Sequence, residues 1–123
     1  MLQVQNLTVK FLSDKDENEV VKDISFTLKK NKILGIVGES GSGKSVTSLA
    51  VLGLLPKNTI QEGTIFFDEK NLLTISNKEF QQIRGNKIAM IFQEPMSSLN
   101  PTLTCGSQVA EVLKQHTGLN KKE

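Results

Sequence analysis

The run Ile33-Leu34-Gly35-Ile36-Val37-Gly38-Glu39-Ser40-Gly41-Ser42-Gly43-Lys44-Ser45 constrains this chain more than any other. Its last eight residues match G-x-x-x-x-G-K-[ST]. They stand between a short apolar run and Ser45–Leu55, where Leu49, Leu52 and Leu55 fall at helical spacing before Pro56. A strand, a tight loop and a helix are expected in that order. Polyphosphate is large and multiply charged, so it is best held by several backbone N–H groups pointing inward. Glycines at 38, 41 and 43 let the loop Gly38, Glu39, Ser40, Gly41, Ser42, Gly43 curl that closely, and a helix starting near Lys44 adds its positive dipole end. Lys44 is placed to neutralise β- and γ-phosphate oxygens. Ser45 is placed to give a hydroxyl to Mg²⁺, the hard cation that travels with nucleoside triphosphates.

The rest of the chain reads as elements around that loop. Residues 2–11 alternate in two registers, Leu2/Val4 and then Leu7/Val9/Phe11, which predicts a half-buried strand with an irregularity near Asn6. Residues 12–19 form a charged hairpin connection, and Val20–Leu28 resumes with Ile24, Phe26 and Leu28 on one face. Lys29–Lys32 is a turn. Ile33–Val37 and Lys87–Phe92 are short continuous apolar runs, expected as strands buried on both faces. Gly63–Asp68 is a further strand candidate. Ser76-Asn77-Lys78-Glu79 has capping-box spacing and opens a short helix ending near Gly85. Gln93–Thr104 is a loop, and Ser107–His116 carries Val109, Val112 and Leu113 on one helical face, with Gly118 as its stop. Lys121-Lys122-Glu123 is expected to fray.

Composition excludes several classes. At 123 residues there is room for one small core, and 15 Lys+Arg against 13 Asp+Glu leave a net charge of only +2, so nucleic acid is not an implied partner. The longest apolar runs fall far short of the roughly 18–20 residues of a membrane span, and the N-terminus has no secretory pattern. The single cysteine, Cys105, can form no internal disulfide and has no ligand-spaced neighbours, which fits a reducing cytosol.

GESGSGKS at Gly38–Ser45, the following SLAVLGLLP, and above all FQEPMSSLNP at Phe92–Pro101 resemble the ATP-binding subunit of an ABC transporter, in the oligopeptide/dipeptide (and nickel) importer group. The phosphate loop is common to many NTPases, whereas the second stretch is far more specific. The resemblance covers essentially the whole chain and reads as the N-terminal part of that subunit. It implies an α/β fold: a P-loop NTPase core with an N-terminal antiparallel β-subdomain, truncated before the signature motif and the second half of the core. The expected regions are a β-hairpin region over 1–32, a P-loop core over 33–92, and a Q-loop with the start of a helical subdomain over 93–123.

The resemblance also implies roles. Gln93 matches the glutamine that contacts Mg²⁺ and the attacking water and links the nucleotide site to the membrane subunits. Its amide can accept from water and coordinate a cation without adding a charge that triphosphate would repel. Phe11 matches an aromatic that stacks on adenine; a core or edge phenylalanine is the competing reading. Glu94 belongs to the same loop and receives no catalytic role. His116 is read as a surface or packing residue. The implied ligands are ATP and Mg²⁺. The implied partners are a second ATP-binding subunit in a homo- or heterodimer, transmembrane permease subunits and, indirectly, an external solute-binding protein. The implied location is peripheral, on the cytoplasmic side of the cell membrane.

The chain contains no L-S-G-G-Q signature, no apolar strand ending in Asp-Glu after it and no switch histidine. Hydrolysis is therefore expected only in a full-length dimer, and the sheet is expected to lack flanking strands. A stand-alone nucleotide-binding or regulatory module without ATPase activity is the alternative. An unrelated P-loop kinase or GTPase is disfavoured, since no N-K-x-D run occurs.

Overall fold

A computed structural model describes residues 1–13, 16–93 and 99–117. The chain divides into two compact units, Met1–Phe80 and Gln81–Glu123. The first unit is built on an antiparallel sheet of order β2-β1-β3-β4, comprising β1 (Leu2–Leu12), β2 (Glu17–Leu28), β3 (Thr59–Phe67) and β4 (Lys70–Asn71). Helix α1 (Lys44–Val51) lies between β2 and β3 in the chain. Helix α2 (Asn77–Ile83) follows β4, and α3 (Cys105–Thr117) lies in the second unit.

The apolar pattern of β1 dictates a defect. Val4, Leu7 and Val9 are all buried, but a regular strand puts positions 4 and 7 on opposite faces. An extra residue in β1 solves this. Asn6 takes φ 50°, and the register slips against both neighbours, between Val4 and Leu7 toward β2 and between Gln5 and Thr8 toward β3. Asparagine tolerates this left-handed backbone, and here it is held: its N–H donates to Ser25 Oγ at 2.8 Å and its Nδ2 to Asp23 Oδ1 at 2.7 Å. The irregularity expected near Asn6 is thus a bulge that keeps one face of the strand apolar throughout. Val4, Leu7, Val9, Val21 and Ile65 from the sheet, Leu72 beyond it, and Ala50, Val51 and Leu52 from the α1 end are the buried residues of this unit's core, together with Phe80.

Helix α1 stops earlier than the expected Leu55. Gly53 takes φ 59°, its N–H donates to Ala50 O at 3.0 Å, and Leu54 N donates to Leu49 O at 2.9 Å, which is a glycine-terminated helix end. Strand β3, by contrast, starts four residues before the expected Gly63, because Gly63 is not a boundary. It faces the β1 bulge from inside the strand. The hairpin ladder likewise runs into the stretch expected as connection, pairing Leu12 with Glu17.

Two expectations are overturned. Neither Ile33–Val37 nor Lys87–Phe92 forms a buried strand: Val37 is 95% exposed and Ile91 96% exposed. Each run is apolar enough for a two-sided burial, but a parallel strand needs paired edges and covered faces, and the described residues supply neither. Arg84 and Ile88 make an isolated parallel bridge within the second unit, outside the named strands.

Helix α2 begins with the predicted capping box. Glu79 Oε2 accepts from Ser76 N–H and Oγ, both at 2.9 Å, while Glu79 N–H donates to Ser76 Oγ at 3.4 Å. The Ser76 backbone N–H, then its hydroxyl, hold the Glu79 carboxyl below its usual 4.5. A lowered folded-state value means that this contribution is present above pH 4.5 and is lost as the pH falls through the folded-state value. Ser76→Ala should therefore raise the Glu79 titration midpoint toward 4.5, read from its side-chain carbon shifts by NMR. Because the alanine keeps the backbone N–H, an unmoved midpoint would mean that the hydroxyl contributes nothing and that the N–H alone holds the carboxyl down.

Gln61, paired with Val9 on β3, lines a pocket of about 310 Å³ with Ala50, Gly53, Leu72, Leu73 and Phe80. Its Oε1 is buried without a hydrogen-bond partner. An unpaired buried acceptor costs about 1–3 kcal/mol, so Gln61→Met should stabilise the chain by about 1 kcal/mol in a urea titration. A loss of stability would mean that the amide is hydrogen-bonded in solution.

Candidate phosphate-binding loop

The loop closes on itself through Lys44. Its Nζ donates to Gly38 O at 2.8 Å, to Glu39 O at 2.5 Å and to Ser42 Oγ at 3.2 Å. A further turn bond runs from Ser42 N to Glu39 O at 3.3 Å. Gly41 and Gly43 take φ 81° and 86°, the left-handed region that glycine enters without cost. Eight residues are thereby wound around one ammonium group, with Gly38 through Ser42 exposed and Lys44 half-buried.

Gly43 joins the loop to the sheet. A Cβ there would come within 2.9 Å of Val20 O and 3.0 Å of Val21 Cγ2. Val20 is itself the unpaired residue of a slip in β2, where Val9 pairs with Val21 and the next β1 residue, Lys10, pairs with Glu19. Sequence reasoning missed this support. Its one signal was the glycine, which marks either a turn or a close approach and here serves both. Thr47, also unremarked in the sequence, donates its Oγ1 to Gly43 O at 2.9 Å and is the buried polar residue of the core. A threonine four residues after the glycine was its signal.

The start of α1 is open to an anion. Thr47 N–H is the first to bond back, to Gly43 O at 2.8 Å, so the amides of Lys44, Ser45 and Val46 point out of the helix end. No side chain caps this end and its first turn holds no acidic residue. Ser45 is exposed at the same turn. Unpaired amides, a positive dipole end and an ammonium group converge on the loop, which is what an oligophosphate requires.

The remaining candidates lie elsewhere. Phe11, half-buried, pairs with Asn18 on β2 and Thr59 on β3. Asn18 is two residues from Val20, on which Gly43 rests, so Phe11 is carried by the same end of the sheet as the loop. Gln93 is exposed and belongs to the second unit. Glu94, Gly118 and the last residues fall outside the described residues. His116 is half-buried, with Nε2 at 3.4 Å from where a Gly85 Cβ would stand, as a packing residue would be.

The first unit thus carries an open glycine-rich turn at a helix start beside an antiparallel sheet. The sequence profile described as "ABC transporter" matches residues 21–123. The chain is 47% identical to the "Dipeptide transport ATP-binding protein DppD" of Lactococcus lactis subsp. cremoris, over 100% of this chain and 36% of that protein. It is 47% identical to the "Oligopeptide transport ATP-binding protein OppD" of Haemophilus influenzae, over 99% of this chain and 38% of that protein. Among solved structures it is similar to the ATP-binding cassette MJ0796, in a dimeric post-hydrolysis state bound to ADP and Pi, with a TM-score of 0.80 and 25% identity over 98% of this chain and 50% of that one. The chain belongs to the ABC transporter family and has the fold of its ATP-binding cassettes. It spans less than two-fifths of the length of these curated relatives.

Proposed function

We propose that this chain is the nucleotide-receiving part of the energy-coupling subunit of an ABC importer for peptides or related solutes, and that it binds Mg-ATP on the loop Gly38–Ser45. One observation carries this: the Lys44 ammonium is gathered over the loop by Gly38, Glu39 and Ser42 beside the uncapped, acid-free start of α1. The three outward amides and Lys44 are the donors for phosphate oxygens. Phe11 is the proposed stacking surface for the adenine.

The residues fit a magnesium ion. Magnesium takes oxygen donors and keeps several waters, so phosphate, water and neutral side-chain oxygens can serve it here. Ser45, exposed at the start of α1, offers such an oxygen, and Gln93 is proposed as the second. When bound, the ion shields the charge that the phosphates present to one another. The chain's own part is to hold the triphosphate by the outward amides of the α1 start and by the Lys44 ammonium.

Hydrolysis is assigned to a dimer with a second ATP-binding subunit, working against permease subunits at the cytoplasmic face of the membrane, with the external solute-binding protein reached through them. The importer relatives support this reading. The test is calorimetric titration with Mg-ATP alongside a phosphate-release assay. Saturable 1:1 binding without release is expected of the chain by itself. Absence of saturation would refute the nucleotide site, and release at the level of a working ATPase would refute the need for the dimer.

A further inference from the structure

At Gly43 the phosphate loop turns into helix, and the backbone there has to be held by its surroundings. A Cβ at this position would meet Val20 O at 2.9 Å, so the close approach to β2 selects glycine, the residue with the most backbone states open to it. Its φ of 86° and ψ of 2° are kept from outside. Thr47 supplies the lock. The Gly43 carbonyl oxygen accepts from Thr47 N at 2.8 Å and from Thr47 Oγ1 at 2.9 Å, filling both of its lone pairs.

That carbonyl and the Lys44 N–H belong to one planar trans peptide and point in opposite directions. Holding the oxygen toward the helix therefore holds the Lys44 N–H toward the loop, where it is the first of the three outward amides. The backbone bond would be made by almost any residue at position 47; the hydroxyl is what threonine adds. Neither burial nor helix formation calls for it. Thr47 is 4% exposed and is, among the described residues, the buried one with a polar side chain, in a core with Ala50 and Val51. Valine has nearly the same shape and suits an apolar core better, and hydroxyls that bond back to the carbonyl four residues earlier slightly destabilise a helix.

We infer that Thr47 is a positioning residue for the phosphate site: its hydroxyl fixes the Gly43–Lys44 peptide so that the Lys44 amide is aimed at an oligophosphate before the ligand arrives. This rests on the reading that the loop receives the phosphates of a nucleotide. A donor already aimed does not have to be ordered on binding, and affinity gains by that amount.

The test compares wild type, Thr47→Val and Thr47→Ser in the full chain. The first substitution removes the hydroxyl and keeps the branched shape; the second keeps the hydroxyl and removes the methyl. Affinity for Mg-ATP should follow the hydroxyl, falling about 3- to 10-fold in Thr47→Val and staying within about 2-fold of wild type in Thr47→Ser. Stability should follow the methyl. Gly43 O keeps its backbone donor in both variants, so Thr47→Val should melt within about 3 °C of wild type and Thr47→Ser about 4 °C or more below it. A merely structural role would not give these opposite orders. The NMR shift of the Gly43 carbonyl carbon, recorded without ligand, reports the bond itself: it should move in Thr47→Val and return in Thr47→Ser. Inorganic tripolyphosphate should show the same loss as ATP, because the amide serves phosphate and not the nucleoside. An unmoved shift in Thr47→Val, affinities that do not track the shift across the three proteins, or a loss seen with ATP and not with tripolyphosphate would overturn the inference. Saturation by tripolyphosphate without saturation by ATP would strike the nucleotide reading alone, and the tripolyphosphate affinities would still decide the role of Thr47. If neither ligand saturates the wild type, both fall.

Discussion

Lys44→Ala is expected to weaken Mg-ATP binding about 10- to 100-fold while moving the melting temperature by no more than about 4 °C. The two effects separate because of where the side chain works. The loop from Gly38 to Ser42 is exposed, so the carbonyls of Gly38 and Glu39 that Lys44 now satisfies would turn to water when it is removed. Exposed substitutions of that kind fall within about 0.5 kcal/mol. The nucleotide has no such substitute. A triphosphate on the loop would lose its one ammonium partner among the loop's side chains, and a hydrogen bond to a charged group is worth about 1.5–3 kcal/mol. Lys44→Arg should lie between, since the guanidinium restores the charge but its planar fork does not match three acceptors gathered around one point. Calorimetry on the three proteins decides it. Wild-type affinity in Lys44→Ala would place the nucleotide somewhere other than this loop.

The parts of the molecule that were legible in the sequence are those set by local chemistry. Of the three glycines expected to let the loop curl, Gly41 and Gly43 do so through left-handed backbone, and the Ser76–Glu79 pair announced a cap that the hydrogen bonds make. The change of alternation between Val4 and Leu7 announced an irregularity near Asn6, and the structure makes it a bulge, because no regular strand can bury both. What was not legible depends on partners distant in the chain. Ile33–Val37 and Lys87–Phe92 are apolar enough for a central parallel strand, but periodicity records only that a run could be buried and not which segment pairs with it. Gly63 misled in a related way: an isolated glycine marks an element boundary or a close approach of two backbones, and only the register with β1 tells which.

Gly63→Ala is expected to be the most destabilising single change in the first unit, at about 3–5 kcal/mol. Two costs add. The backbone sits at φ 94°, where an L side chain is strained by about 1–3 kcal/mol. The added Cβ would also meet Gln5 O and Asn6 C at 2.5 and 2.7 Å, as well as the carbonyl oxygen of Asn6. These are backbone atoms of the β1 bulge and cannot rotate away as a side chain would. The bulge cannot yield either, because Asn6 is tied to Ser25 and Asp23, and shifting it would turn Val4 or Leu7 out of the core. For a chain whose whole stability is about 5–15 kcal/mol, this is a fall of about 15 °C or more in melting temperature, or outright unfolding. Gly35→Ala is the matched control. A Cβ at Gly35 would meet nothing within 4 Å, so that variant should melt within about 3 °C of wild type. Because the phosphate loop rests through Gly43 on β2, and β2 on β1, Gly63→Ala should also lose nucleotide binding in proportion to the unfolded fraction, with no change in affinity for what remains folded. Thermal melts by circular dichroism with and without Mg-ATP measure both. A Gly63→Ala protein as stable as the Gly35→Ala control would mean that β1 and β3 do not pair across the bulge as Gln5↔Thr64 and Thr8↔Glu62, and the sheet that carries the loop would have to be redrawn.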